Sequence, residues 1–149
     1  MAAKEIKASR QIQAAPEKVY DIIADYHNGH PRILPKPYFV SLEVEEGGYG
    51  AGTVIRFHMK LMGRLQTFRA EISEPEPGRV LVENDLDTGT TTTFTVEEHA
   101  QAQASRVTIR TVTQVRDGLF GAVEGWFTVR LLQPIYIKEL DQLAVVAEK

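Results

Sequence analysis

The C-terminal run of the chain, residues 119–149, constrains the fold more than any other part of the sequence. It follows Asp117-Gly118 and reads as one long helix. At about 1.5 Å per residue such a helix is roughly 45 Å long, enough to cross a small domain. Pro134 lies inside it, and a proline removes one helical hydrogen bond and kinks the axis. We therefore expect two halves that need not face the same surface.

The apolar residues of the two halves fall on different sides of a helical wheel drawn at about 100° per residue. In the first half they form one stripe: Leu119, Phe120, Val123, Trp126, Phe127 and Leu131. After Pro134 the stripe moves round by roughly a quarter turn and comprises Tyr136, Leu140, Leu143 and Ala147. We expect the first stripe to face the rest of the protein. The second half either seals the far end of that structure or meets a partner, for which a homodimer is one candidate.

The chain before this helix has the alternation of apolar and polar residues that is typical of β-strands. Residues 4–13 predict the first strand. Pro16 and Glu17 then favour a helix start, because proline suits the first helical position and glutamate the helix dipole. A second, brief helix is expected within residues 26–37. Further strands are predicted at residues 39–46, 53–62, 68–72, 79–86, 90–98 and 106–115.

These elements predict an α+β fold in which a curved antiparallel sheet of about seven strands wraps round the C-terminal helix, with two short helices after the first strand. One face of the sheet must be covered, and only that helix is long enough. Because a straight helix cannot fill a concave surface, we expect an internal cavity, mostly apolar with a few polar groups. We expect residues 1–149 to form a single domain.

Composition argues against several classes of protein. The net charge of −3 is unlike the basic excess of a nucleic-acid binder. There is no cysteine, so neither a disulfide nor a thiolate metal site is possible. No apolar stretch reaches the ~18 residues that span a membrane, so we expect no stable membrane insertion. Residues 1–9 carry no apolar leader segment, and we expect a cytoplasmic protein.

Three segments resemble the START-like, or SRPBCC, superfamily, whose members have the helix-grip fold. IQAAPEKVYDIIAD, residues 12–25, is similar to that family's first strand and helix. GAGTVIRF (50–57) resembles its glycine-rich turn and third strand, and EPEPGRVL (74–81) its turn before the fifth strand. The resemblance covers essentially the whole chain and is nearest to the bacterial polyketide cyclase/dehydrase and lipid-transport group. One departure is that Pro31, Leu34 and Pro35 stand where members often also carry a tryptophan.

The resemblance implies a protein that encloses a hydrophobic small molecule, lipid-like or polyketide-like, between sheet and helix as a carrier or sensor. An alternative is a polyketide cyclase or dehydratase in which a cavity Arg, Tyr or His polarises a carbonyl. A third is a protein-interaction module like the family's co-chaperones, which needs an exposed apolar patch. Whether the chain is an enzyme stays open at this point, and no cofactor is expected.

Candidate ligand-binding residues are side chains on predicted inward faces. They are Tyr26, Phe57, Met59, Phe68, Phe94, Thr111, Thr113, Val123, Trp126, Phe127 and Arg130. Arg130 is also the candidate catalytic residue, because it lies within the first apolar stripe of the helix. A guanidinium is costly to bury alone. It therefore pairs with an acid such as Glu83 or Asp85, extends to water, or lines a polar end of the cavity and holds a ligand oxygen.

Two further motifs are interpreted as structural. The pattern Gly48-x-Gly50-x-Gly52 lacks the following helix and the lysine that a phosphate-binding loop needs, so we expect a turn between strands. His27 and His30 have the spacing of metal ligands, but the sequence offers no converging third or fourth ligand. We expect a solvated loop there and no metal site.

Overall fold

The structure, a computed structural model, describes residues 2–149. Its first elements are the strand β1 (Ala2–Ile12), the helix α1 (Pro16–Ala24) and a 3-10 helix (His30–Ile33). Six strands follow: β2 (Phe39–Glu46), β3 (Val54–Leu61), β4 (Arg64–Glu76), β5 (Val80–Asp85), β6 (Thr91–His99) and β7 (Ala104–Val115). The chain then enters the long helix α2 (Gly118–Ala147).

The strands form one seven-stranded sheet in the order β1-β7-β6-β5-β4-β3-β2. Every neighbouring pair is antiparallel, and the first strand pairs with the last, with Ala8 opposite Ile109. Strands β2 to β7 follow one another as a meander, as their short connections predicted. The predicted helix-grip α+β architecture is thus confirmed.

The alternation of each strand decides which face of the sheet is buried. On β7, Val107, Ile109 and Thr111 are buried, whereas Arg106 and Arg110 between and beside them are exposed. The buried face contacts α1 and α2, so the core lies between the sheet and the two helices. Each fully buried Ile or Leu on this face contributes about 1.5–3 kcal/mol.

The first half of α2 packs through a different stripe from the one the wheel predicted. Gly121 and Gly125 are buried, while Phe120 is 70% and Phe127 59% exposed. A Cβ added to Gly125 would lie 3.2 Å from the Lys4 Cδ atom, so the helix backbone approaches β1 where it has no side chain. The large apolar residues of the first stripe, apart from the half-buried Leu131, therefore point away from the sheet, which corrects the expectation.

The second half of α2 seals the sheet and is not a free surface. Tyr136, Leu140, Leu143 and Ala147 belong to the main core cluster. The helix continues through Pro134, and the buried stripe runs on from the glycines through Leu132 to these residues without the predicted quarter turn. Its exposed apolar face consequently lies in the first half. Neither helix within residues 2–149 is long and apolar enough to cross a membrane.

Candidate functional site

A cavity of about 540 Å³ lies between the concave face of the sheet and α2. Its volume falls in the ~300–1,000 Å³ range of small-molecule sites. Most of its wall is apolar and includes Ile55, Phe57, Met59, Phe68, Phe94 and Ile109. From α2 the wall receives Thr128, Leu132, Tyr136 and Glu139, which are spaced three or four residues apart and so share one face of the helix.

His30, at the start of the 3-10 helix, is 2% exposed and lines the cavity. Its Nδ1 lies 2.7 Å from the backbone carbonyl oxygen of Ile23, so this nitrogen carries a hydrogen and donates. The ring stacks on Tyr26 with centroids 4.4 Å apart and meets Phe94 edge-on at 5.4 Å. These contacts fix the imidazole and leave Nε2 facing Glu83.

Glu83, on β5, contacts two side chains at the cavity wall, those of Tyr26 and His30. Its Oε2 accepts a hydrogen bond of 2.6 Å from the Tyr26 hydroxyl and lies 3.6 Å from His30 Nε2. Burial is the main reason that the pKa of Tyr26 lies well above its ordinary value, and the charge and hydrogen bond of Glu83 add to it. The Tyr26 hydroxyl therefore keeps its proton and remains a donor to this carboxylate.

Glu139, on α2, is a second carboxyl group in the same wall and is only 4% exposed. Burial raises its pKa well above the ordinary value, and the negative charge of Glu83 raises it further. Glu139 is buried, and its raised pKa favours the protonated form of this carboxyl group. In this state Glu139 can donate a hydrogen bond into the cavity.

A row of hydroxyl groups extends the polar part of the wall along β6 and β7. Thr111 Oγ1 lies 2.8 Å from Thr92 Oγ1 and 2.6 Å from the Tyr136 hydroxyl. Thr90 and Thr113 make the equivalent pair at 2.8 Å. Burial is also the main cause that raises the pKa of Tyr136 to about 12. These hydroxyls satisfy one another and offer neutral donors and acceptors to a ligand.

Six of the predicted ligand-binding residues line the cavity: Phe57, Met59, Phe68, Phe94, Thr111 and Thr113. Tyr26 lies behind the wall, where it supports His30 and Glu83. The structure thus brings these seven residues together around one space. Their contact with a ligand stays a prediction.

The other four candidates, Val123, Trp126, Phe127 and Arg130, lie outside the cavity on the exposed face of α2. Val123 and Phe127 border a shallow surface groove instead. The Arg130 guanidinium stacks over the Trp126 ring at 4.8 Å and is exposed, so of the three alternatives it takes the route to water. The expectation that Arg130 points towards the sheet is wrong, because the two glycines turn the opposite face of the helix inward.

Sequence reasoning found Thr111 and Thr113 but missed two ionisable groups of the cavity wall, His30 and Glu139. The sequence predicts a solvated loop around His30, and Glu139 is not among the predicted site residues. Glu139 follows Tyr136 by three residues and precedes Leu140, so an acid inside the predicted apolar stripe was the available signal. Thr90 and Thr92 belong to a run of threonines. The composition of that run by itself indicates only a preference for strand structure.

The glycine-rich motif lies away from the cavity, whereas His30, which the sequence predicted in a solvated loop, is buried and lines it. In the glycine-rich loop, the Ala51 amide donates to Glu74 Oε1 at 2.7 Å, and β3 follows instead of a helix. A carboxylate of the protein itself thus accepts the hydrogen bond of a loop amide that would otherwise have to bind a phosphate. Within residues 2–149 no three His, Asp or Glu side chains are grouped to hold a metal ion.

The sequence matches the family model for polyketide cyclase / dehydrase and lipid transport over residues 3–148. A comparison with curated proteins gave no match. Among solved structures, the solution structure of the KanY protein is similar, with 25% identity, a TM-score of 0.85 and complete coverage of both chains.

Two more distant structures share the fold. The Zhui aromatase/cyclase from Streptomyces sp. R1128 is 17% identical with a TM-score of 0.79, and the match covers 99% of this chain and 94% of that one. A START superfamily protein from Mycobacterium smegmatis is 11% identical with a TM-score of 0.75 and 97% coverage of both chains. These two likenesses show that the fold is shared. The chain belongs to the polyketide cyclase / dehydrase and lipid transport family of the START/SRPBCC superfamily.

Proposed function

We propose that this protein binds a hydrophobic small molecule, lipid-like or polyketide-like, in the cavity between sheet and α2, as a carrier or sensor. The observation that carries the proposal is the cavity itself, about 540 Å³ in volume and mostly apolar, with a few ionisable groups in its lining. Apolar walls supply affinity through the hydrophobic effect, and a few placed polar groups fix the orientation of the ligand.

A cavity-filling substitution tests this proposal. Leu132 lines the cavity from α2, and Leu132→Trp places an indole in the ligand's space. Ile137→Trp introduces the same side chain on the exposed side of the same helix and serves as the matched control. Binding of the neutral fluorescent probe Nile red is measured by titration.

We expect Leu132→Trp to weaken Nile red binding at least about tenfold, a loss of ~1.4 kcal/mol, while Ile137→Trp binds like the parent. Far-UV circular dichroism checks that both variants keep the fold. Equal affinities of the parent and a folded Leu132→Trp variant would reject the cavity as the binding site. Native mass spectrometry of the purified protein should in addition retain a lipid-like mass in some preparations.

A second candidate function is a cyclase or dehydratase reaction on a polyketide-like substrate, and the arrangement of His30 and Glu139 favours it. His30 Nε2 carries a lone pair when the ring is neutral, because Nδ1 holds the hydrogen. This nitrogen can take a proton from a carbon next to a carbonyl, while protonated Glu139 gives its proton to a departing hydroxyl group. The hydroxyl then leaves as water, and a carbon–carbon double bond remains.

Turnover of a poly-β-ketone thioester mimic separates the second candidate from the first. His30→Gln should abolish turnover while Nile red affinity stays within about threefold, since the fold and apolar wall remain. Arg130→Leu is the matched control and should leave turnover unchanged, because Arg130 lies outside the cavity. If the His30→Gln variant keeps full turnover, or if the parent shows no turnover, the second candidate is rejected and carriage or sensing remains as the function.

A further inference from the structure

The charged side chains of the cavity wall are almost all of one sign. Three carboxyl groups line it, those of Glu83, Asp85 and Glu139, and one imidazole, that of His30. Among residues 2–149 no lysine or arginine lines the cavity. The cations of β3 illustrate the pattern, since Arg56 and Lys60 are exposed and Arg56 pairs with Glu45.

This distribution penalises a bound anion. A ligand carboxylate in the cavity would lose its water and meet Glu83 and Asp85 with no cation in the wall to offset either cost. Fatty acids and aromatic acids therefore suit the apolar part of the space but not its charged part. The same distribution of charge favours a bound cation. Such a cation can contact carboxyl oxygens on two sides of the cavity, those of Glu83 on the sheet and Glu139 on the helix.

The aromatic residues of the wall add to this preference. Phe57 and Phe68 stack with centroids 5.2 Å apart, and Phe94 closes the space next to His30. Aromatic faces accept flat rings and also attract an ammonium group through their quadrupole. Carboxyl groups combined with ring faces form a site that suits an amine attached to an apolar body.

We propose that the cavity selects an apolar, ring-sized molecule that carries an amine and rejects the corresponding carboxylate. This inference rests on the proposed function, because it names the chemical class of the ligand in the same cavity. The apolar body occupies the part of the cavity lined by Phe57 and Phe68, and the ammonium group contacts Glu83 and Glu139.

Binding of the amine is coupled to the ionisation of Glu139. Burial and Glu83 raise the pKa of this carboxyl group and keep a proton on it in the empty cavity, and a neighbouring ammonium group stabilises the ionised form instead. An incoming ammonium ion therefore expels this proton to solvent, and the affinity increases as the pH rises. The titratable groups around Glu139 are Glu83, Asp85, His30, Tyr26 and Tyr136.

Three probes with one ring system test the proposal: 1-naphthylmethylamine, 1-naphthalenemethanol and 1-naphthoic acid. Their affinities are measured by isothermal titration calorimetry at pH 7, and the amine is titrated in two buffers of different ionisation enthalpy. The variant Glu139→Gln removes the carboxyl group at nearly constant shape. Glu43→Gln makes the same change at an exposed position of β2 and is the matched control.

We expect the amine to bind at least about tenfold more tightly than the alcohol, and the alcohol more tightly than the acid. Amine binding by the parent and by Glu43→Gln releases a proton. Glu139→Gln releases none, and it loses at least about tenfold in amine affinity but less than about threefold in alcohol affinity. The ranking of the three probes on the parent stands as a test even if Glu139→Gln does not fold.

The outcomes separate the two proposals. If the acid binds as tightly as the amine, if no proton is released, or if Nile red binds and none of the three probes does, the charge preference is wrong and the apolar cavity site stands. If none of the three probes binds and Nile red does not bind either, the proposed function fails and the preference fails with it.

Discussion

At the scale of single residues, Glu139 is a carboxyl group held almost completely out of water. It lies on the helix in the wall of a mostly apolar space, next to the charge of Glu83. The fold keeps this carboxyl group where its ionised form is disfavoured. A native structure tolerates such a group at a cost in stability, and this cost often accompanies a functional site.

The cost of burying the Glu139 carboxyl group should make the free energy of unfolding depend on pH. Because its pKa is raised in the folded state, the folded protein holds a proton that the unfolded chain has lost once the pH exceeds the ordinary value of about 4.3. The free energy of unfolding therefore falls as the pH rises from there towards the folded-state pKa. A pKa that folding raises by about one unit lowers this free energy by ~1.4 kcal/mol once both states have ionised.

We expect Glu139→Gln to match the parent in melting temperature near pH 4 and to exceed it at pH 8, by about 1 kcal/mol or more in unfolding free energy. Glu43→Gln, on the outer face of β2, should show no such divergence. Thermal melts across this pH range measure the effect. A Glu139→Gln variant whose advantage does not grow with pH would show that the carboxyl group is not held neutral.

At the scale of elements, α2 carries two different surfaces along one helix. The buried side begins with Gly121 and with Gly125, which lies against Lys4 of β1, and continues into the large core residues Leu140 and Leu143. The opposite side of the first half presents Phe120, Trp126 and Phe127 to solvent. The energetic contribution of an apolar residue on this helix depends on which of these sides it occupies.

Two alanine substitutions on α2 should differ sharply. Leu140 is 1% exposed, and Leu140→Ala should cost about 2–5 kcal/mol because it leaves a cavity in the core. Phe127→Ala should change stability by no more than ~0.5 kcal/mol, since the ring is mostly exposed. Urea denaturation followed by circular dichroism measures both. A large cost at Phe127 would place the first stripe against the sheet after all.

The same helix explains what could be predicted from sequence. Strand alternation identified the sheet, and the position of α2 followed because no other element could cover it. The face of its first half that packs inward could not be predicted. The glycines lie on that inward face, and the large apolar residues lie on the opposite, exposed face. A wheel weighs size and hydrophobicity, whereas Gly121 and Gly125 pack closely because they have no side chain: Gly121 lies against the backbone of Arg116 and Gly125 against the side chain of Lys4.

The apolar wall of the candidate site and the threonines Thr111 and Thr113 were predictable from the sequence, whereas His30 and Glu139 were not. Phe57, Met59, Phe68 and Phe94 follow from the period of their strands, which is fixed locally. His30 is enclosed by Tyr26, four residues earlier, which stacks on its ring, and by Phe94, far away in the sequence, which meets the ring edge-on. A contact of that kind has no periodic signature.

At the scale of the whole molecule, two apolar surfaces compete for a hydrophobic ligand. One is the cavity behind α2, and the other is the shallow groove bordered by Leu119, Phe120, Val123 and Phe127 on its outer side. Both would bind an apolar probe, but the cavity also presents an imidazole and three carboxyl groups, whereas the carboxyl group in the groove, that of Glu124, pairs with Arg116. We therefore assign ligand binding to the cavity.

Methyl-resolved NMR titration with Nile red tests this assignment most directly, because both surfaces carry methyl groups. We expect the largest chemical-shift changes at Ile55, Ile109 and Leu132, which line the cavity, and small changes at Leu119 and Val123 in the groove. Changes concentrated at Leu119 and Val123, with the cavity methyls unmoved, would contradict the assignment.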